Sequence, residues 1–421
     1  MTRSSATVIA VAVLLILVVA PNRAQQPPPG GPDRPLIFDT DTSGPCTGCP
    51  PGSNLRIRVV PLAAGLVHPL SIAFLPDGPS MLVTERPGRL RIIREGVLDP
   101  QPISGVPLAT RQGSATLSER LLFVEVHPQF AQNHLVYLSY PKWGERGNTL
   151  AVARGRLDGM TLADVRDIFV ADAWASTGDA AYGGKIAFGP DGMLYVMVSD
   201  RDTLFATSDS SQRIRAQDLG SHAGKVLRLR DDGSAPPDNP FVGRPGAKPE
   251  IYTYGHRNMY GLTFHPETGA PWQAELGALA GDEVNVLLAG RNYGWPLVSL
   301  GRHYNGDLVS DQPWWRPGME MPRVYWMPSL APSSLMFYTG DRFPAWKGHL
   351  LVGGLFGRQL QRVALDQPPL QAERRESLLI QLGARIRDVR QGPDGYVYVA
   401  TEMQAGGDVP DGAIMRIEPV E

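Results

Sequence analysis

Two arginine motifs mark where this chain could do chemistry. Arg257 and Asn258 sit together in GHRN, inside a stretch from Ile251 to Pro296 that also carries Asp282 and Glu283 and closes on Gly-Trp-Pro. Arg385 and Arg387 sit one residue apart in RIRD. A guanidinium fork beside an amide donor suits a flat, anionic, carbonyl-rich ligand, because it makes bidentate charge-assisted hydrogen bonds. On a strand, Arg385 and Arg387 face one side with Ile386 between them, and two guanidinium groups on one face need an anion or a carboxylate. A plainer reading stands beside this one. Arg257 pairs with Asp282 or Glu283, the C-terminal pair finds Asp388, and the motifs only tie loops together.

The elements that must position these residues repeat along the chain. A β-run, a Pro-Asp-Gly or His-Pro turn and a second β-run return six times, at a spacing of roughly 50–70 residues that suggests propeller blades. The units are Ser71–Glu85, Leu121–Tyr140, Lys185–Asp200, Gly261–Glu275, Ser334–Gly353 and Arg387–Thr401. Asp-Gly supplies the backbone conformations that a tight hairpin needs. Further short strands are expected at Leu90–Ile93, Lys225–Leu229, Leu360–Leu365 and Ala413–Ile417. The expected fold is all-β, a six-bladed β-propeller, with Leu55–Leu62 completing the last blade and closing the ring. A pair of β-sandwiches is the rival, but it does not explain the sixfold hairpin. In a propeller the loops at one end of the channel converge, so Arg257-Asn258, Glu275 to Glu283, Pro328 to Ser334 and Arg385 to Asp388 should share one mouth.

The chain has 421 residues, 43% of them hydrophobic, and a net charge of −2. That is enough for a large core, and it carries no basic footprint for nucleic acid. Arg3 followed by the apolar run Ala6–Ala20 reads as a signal peptide over residues 1–24, cleaved after Ala24; an uncleaved anchor is the alternative. No second hydrophobic run would then hold the protein in a membrane. The expected location is periplasmic or secreted. Residues 25–53 read as a Pro/Gly-rich tether, and the propeller occupies 54–421. The tether holds the only cysteines, Cys46 and Cys49. No His follows for haem attachment and no second pair completes a zinc site, so a local disulfide is expected after export.

The stretches GGKIAFGPDGMLYVMVSDR, EIYTYGHRNMYGLTF, GDEVNVLLAGRNYGWP, MPSLAPSSLMFYTGDRFPAW and RIRDVRQGPDGYVYVAT resemble the glucose/sorbosone dehydrogenase family, the soluble aldose sugar dehydrogenases that depend on pyrroloquinoline quinone (PQQ). The resemblance runs from about Pro61 to Pro419. It implies a quinone held over the channel, calcium, a sugar oxidised at its anomeric carbon to a lactone, and an electron acceptor it does not name. It places Arg257, Asn258, Arg385 and Arg387 on the quinone, and the backbone of Gly277 and Ala278 on the calcium. It also exposes departures. The family's catalytic His falls on Ala181, and alanine cannot take a proton. Tyr182 is adjacent but would alternate to the other face. The family's Gln-Gly-Gly reads Ser118-Glu119-Arg120, its His-Gly-Pro or Gln-Gly-Pro loop reads Leu276-Gly277-Ala278, and a Lys of the fifth blade aligns near Phe356. These losses support an alternative from another class, a catalytically impaired propeller that serves as a binding or interaction module.

Among other residues, His127 and His265 read as turn residues, and His256 could face the cleft. His222 and His303 have weaker claims of the same kind. Asp200-Arg201-Asp202 could bind a cation, but such a run is more often a solvated turn. No zinc-hydrolase, α/β-hydrolase or P-loop pattern is present.

Overall fold

A computed structural model describes residues 36–39, 55–107, 121–176, 180–203, 212–312, 314–365, 373–404 and 409–420. The fold is an all-β, six-bladed propeller. Each Pro-Asp-Gly hairpin joins the first two strands of a blade, and alternation along those strands sends apolar side chains to both faces. Blade 1 comprises Pro69–Phe74, Met81–Glu85, Arg89–Arg94 and Val97–Leu98. Blade 2 runs through Val124–Val126, Leu135–Gly144, Gly147–Asp158 and Thr161–Val170. Blade 3 is Gly183–Phe188, Leu194–Val198, Lys225–Leu229 and Ile251–Tyr254. Blade 4 is Asn258–Phe264, Pro271–Leu276, Asp282–Val286 and Val324–Trp326. Blade 5 is Pro332–Phe337, Leu350–Gly354, Gln359–Leu365 and Glu373–Leu378.

Blade 6 takes Arg385–Gln391, Val397–Glu402 and Gly412–Pro419 from one end of the sequence and Arg56–Leu66 from the other. The closing strand is thus the expected one, extended to Leu66. Ile57 pairs with Pro419 and Leu66 with Gly412. An ion pair between Arg58 and Glu418, 2.5 Å apart, fastens the seam. Outside it, Leu36–Asp39 adds a fifth strand antiparallel to Arg56–Leu66. That corrects the tether reading at those four residues. The expected signal peptide, Cys46, Cys49 and Ser118-Glu119-Arg120 lie outside the described residues.

The first strands of neighbouring blades pack against one another all the way around the ring. The core lies mainly between blades. One cluster joins Leu82, Ile92, Val136 and Leu138 across blades 1 and 2; another joins Ile57, Leu351, Ile386 and Val399 across blades 5 and 6. All six inner strands run the same way along the channel, because each blade starts from its innermost strand. Their N-terminal ends therefore gather at one mouth and their C-terminal ends at the other. Among the described residues, no helix is long and apolar enough to cross a membrane.

Candidate active site

The N-terminal mouth brings together Ala181, Arg257, Asn258, Arg385 and Arg387. Ala181 precedes the inner strand of blade 3, Arg257 and Asn258 open that of blade 4, and Arg385 and Arg387 open that of blade 6.

Arg257 is fixed by its surroundings. Its backbone N–H donates to Glu275 Oε2 at 2.9 Å, and its Nη1 donates to the carbonyls of Leu276 (2.9 Å) and Gly277 (2.7 Å). Its guanidinium lies 5.4 Å from the centre of the Trp295 ring. The two acids named as its plainer partners are committed elsewhere. Asp282 accepts from Gly277 N, Ser329 Oγ, Leu330 N and Ala331 N, all between 2.7 and 3.0 Å. Glu283 is half-buried against the buried Glu275, and desolvation raises both carboxyls, so the pair holds on to a proton. Next door, Asn258 presents its Oδ1 to Ser199 Oγ at 2.6 Å, while its Nδ2 is buried without a partner.

Arg385 and Arg387 do reach one side of their strand, but their shared carboxylate is Glu402, not Asp388. Arg385 Nε lies 2.8 Å and Arg387 Nη2 2.6 Å from Glu402 Oε1, while His68 Nδ1 meets Glu402 Oε2 at 2.6 Å. Burial alone would raise this carboxyl, but Arg387, His68 and Arg385 together hold it down to about 2. Asp388 instead faces the channel. It takes Lys185 Nζ (3.4 Å), Arg390 Nε (3.1 Å) and the backbone N–H of Ile72 (2.9 Å). Two guanidinium groups thus share one carboxylate at the mouth, and Arg387 Nε is buried with no acceptor.

Phe356, where the resemblance expected a lysine, is 74% exposed. Two residues on, Arg358 brings a cation to this end. Its Nη1 donates to the carbonyls of Gly383 (2.5 Å) and Met403 (3.1 Å); burial lowers the Arg385 pKa, and the Arg387 and Arg358 charges push it the same way.

Around Ala181 the structure revises two readings. Asp200, Arg201 and Asp202 are not a solvated turn: they are only 2%, 1% and 6% exposed. Arg201 holds a left-handed backbone and clamps the loop from within, with Nη1 donating to the carbonyls of Ala180 and Ala181. Its guanidinium stacks 4.1 Å from the Tyr182 ring, so Tyr182 is packed under it and unavailable as a base. Asp200 lies between the residues that pair with Tyr182 and Ala181. Ser199 N–H donates to the Tyr182 carbonyl (3.1 Å), and Ala181 N–H donates to the Asp202 carbonyl (3.0 Å). The Asp200 carboxylate accepts from Trp295 Nε1 at 2.7 Å and Asp202 N–H at 3.1 Å, and its own N–H donates to the Arg257 carbonyl at 2.9 Å. Burial pushes its pKa up to about 6, against the pull of Arg257. Nothing in the local sequence distinguishes this Asp from a surface one; only the packing of Trp295 from a distant loop buries it.

The histidines sort differently than expected. His256 does not face the cleft. It is fully buried, stacked on Tyr293 at 4.7 Å and bonded to Thr253 Oγ1 at 2.9 Å, and burial lowers its pKa to about 3. His222 is held between Asp172 N–H and Glu250. His303 meets Arg213, whose Nε also binds Asp202 at 2.7 Å. His127 and His265 cap their turns through Nδ1, as expected.

The donor set can be tested against the two groups the resemblance implies. A quinone bearing carboxylates fits, since the mouth offers an excess guanidinium charge and two buried donors lacking acceptors. Calcium at Gly277 and Ala278 does not fit. The Ala278 carbonyl already accepts from Ala280 N and Arg302 N, both at 2.7 Å, which uses both lone pairs. The Gly277 carbonyl faces the Arg257 guanidinium, and Gly277 is pinned there because a Cβ would come within 2.0 Å of the Ala280 carbonyl. Among the described residues, no cluster of three or more His, Cys, Asp or Glu could hold a metal.

Six blades, five of four strands and one of five, surround a channel whose N-terminal mouth is cationic and amide-bearing. The chain belongs to the Glucose / Sorbosone dehydrogenase family, whose sequence profile matches residues 66–415. It is 38% identical over 354 residues to the aldose sugar dehydrogenase YliI of Escherichia coli (strain K12), covering 83% of this chain and 91% of that protein. The crystal structure of the soluble aldose sugar dehydrogenase from Escherichia coli in the apo form superposes with a TM-score of 0.77 at 36% identity, covering 86% of this chain and 100% of that one. The PQQ-bound aldose sugar dehydrogenase of Streptomyces coelicolor gives 0.67 at 25% identity, covering 88% and 100%.

Proposed function

We propose that this chain is a PQQ-dependent oxidoreductase that converts aldose sugars to lactones, exported to the periplasm by its N-terminal segment and emptied of electrons by an acceptor still to be identified. One observation carries the reading. At the N-terminal mouth Arg385 and Arg387 share a single carboxylate, and Arg387 Nε and Asn258 Nδ2 are buried with nothing to donate to. Leaving such donors unpaired costs about 1–3 kcal/mol each, which a ligand's carboxylate and carbonyl oxygens would relieve. When bound, the quinone supplies a two-electron acceptor. The protein's part is to hold it through Arg385, Arg387 and Asn258, to keep Arg257 rigid beside it, and to receive the sugar's hydroxyl proton.

Ala181 cannot receive that proton. Asp200 stands beside it, with a pKa of about 6 that suits a general base near neutral pH. Asp200 therefore replaces the missing histidine in this reading. The second reading, a ligand-binding propeller without turnover, is favoured by the methyl group at Ala181. A PQQ titration followed by absorbance, then dye reduction over an aldose panel, separates the two. Turnover above the apoprotein supports the oxidoreductase. Binding without turnover supports the module, and absence of binding overturns both.

A further inference from the structure

The channel has a second mouth, where the inner strands end, and none of the residues discussed above as quinone or sugar contacts lies there. A cavity of about 630 Å³ opens at that end. Its size is that of a site for a small organic ligand. Phe74, Phe188 and Phe264 form its walls and Glu125 and Arg390 line it too. The aromatic walls are braced from behind. Tyr398 meets Phe74 edge-on at 4.9 Å, Tyr195 meets Phe264 at 5.3 Å, and Tyr137 meets Phe188 at 5.1 Å. Walls held this way are pre-formed, so a ligand need not order them.

The polar side of the cavity has one unmet demand. Arg390 gives its Nε to Asp388, but its Nη2 is buried without an acceptor. Behind it, Lys185 and Arg390 face Asp388 and Glu125, two cations against two carboxyl groups. Each carboxylate thus has a cation to face, and the cluster balances without an added anion. What is missing is a neutral acceptor.

We propose that this second mouth binds a neutral, flat aromatic molecule bearing a carbonyl oxygen, with its ring among Phe74, Phe188 and Phe264 and its oxygen on Arg390 Nη2. The inference does not rest on the reading of the first mouth, and its test involves neither PQQ nor sugar. The probe is 1-tetralone, titrated calorimetrically into the purified protein, with tetralin as the same framework lacking the carbonyl. Saturable one-to-one binding of tetralone is expected, with tetralin at least tenfold weaker. Ala131 lines the cavity from an exposed position, so Ala131→Trp should block the mouth, weaken tetralone tenfold or more and leave the melting temperature unchanged. Arg390→Leu should bring tetralone down to the affinity of tetralin; should that variant not fold, Ala131→Trp still decides. No saturable binding up to the solubility limit, equal affinity for tetralin, or indifference to Ala131→Trp would each overturn the proposal.

Discussion

Glu402→Gln should make the protein less stable and, in the same variant, better at holding an anionic ligand. The Glu402 side chain is fully buried and touches Arg385, Arg387 and His68. Its pKa falls from an ordinary 4.5 to about 2. At about 1.4 kcal/mol per tenfold change in proton affinity, that drop corresponds to about 3 kcal/mol, within the ~3–5 kcal/mol expected when one partner of a buried ion pair is removed. The sign follows from the depressed value. The stabilisation is complete above the unfolded pKa near 4.5 and is lost as pH falls towards 2. Denaturant midpoints of wild type and Glu402→Gln should therefore differ most at pH 6–7, narrow below pH 4 and converge as pH approaches 2. The variant also leaves two guanidinium groups with no carboxylate between them, so PQQ should bind more tightly, by threefold or more. A stability difference that is flat from pH 7 to pH 3 would mean that Glu402 is not the ionised hub. Weaker quinone binding in a folded Glu402→Gln variant would mean that the arginines do not face a ligand carboxylate.

Arg387→Ala should weaken PQQ by roughly 10- to 150-fold in an absorbance titration, the loss of one charge-assisted contact of about 1.5–3 kcal/mol. If Asp200 is the base, kcat/KM for sugar should climb with pH through about 6, where its carboxyl ionises, and Asp200→Asn should remove that limb and most of the rate, by roughly 10²–10⁴. Ala181→His should raise sugar oxidation in dye-reduction assays by restoring a base at the family's position. Stripping calcium with EGTA should leave PQQ affinity unchanged, because the Gly277 and Ala278 carbonyls are already committed; a tenfold loss that calcium restores would refute that.

The ring was legible because its signal is local. Each hairpin declares itself within about fifteen to twenty residues, three of them through Pro-Asp-Gly, and six hairpins allow few architectures. The motif residues were also legible as a group, since all open inner strands. Their partners were not. Arg385 faces Glu402 because the two are directly paired across neighbouring strands, a relation that a separation of seventeen residues hides. A register shift between Ile386 and Asp388 turns Asp388 into the channel, away from the arginines beside it in sequence. Burial was the other blind spot. Asp200 and His256 look like loop polar residues until Trp295 and Tyr293, nearly a hundred and nearly forty residues away, are folded onto them.

The seam of blade 6 carries a consequence for how the molecule comes into being. Arg58 and Glu418, joined side chain to side chain, are 360 residues apart, and Val420 N–H donates to the Arg56 carbonyl at 2.9 Å. Blades 1 to 5 can assemble from hairpins as they emerge, but the strand Arg56–Leu66 has only the short Leu36–Asp39 strand beside it until Gly412–Pro419 has been made. Until then its alternating apolar face has little to pack against. Such extreme sequence separation delays the final step and keeps it all-or-none. An exported chain would thus stay open, and threadable, until its last blade arrives.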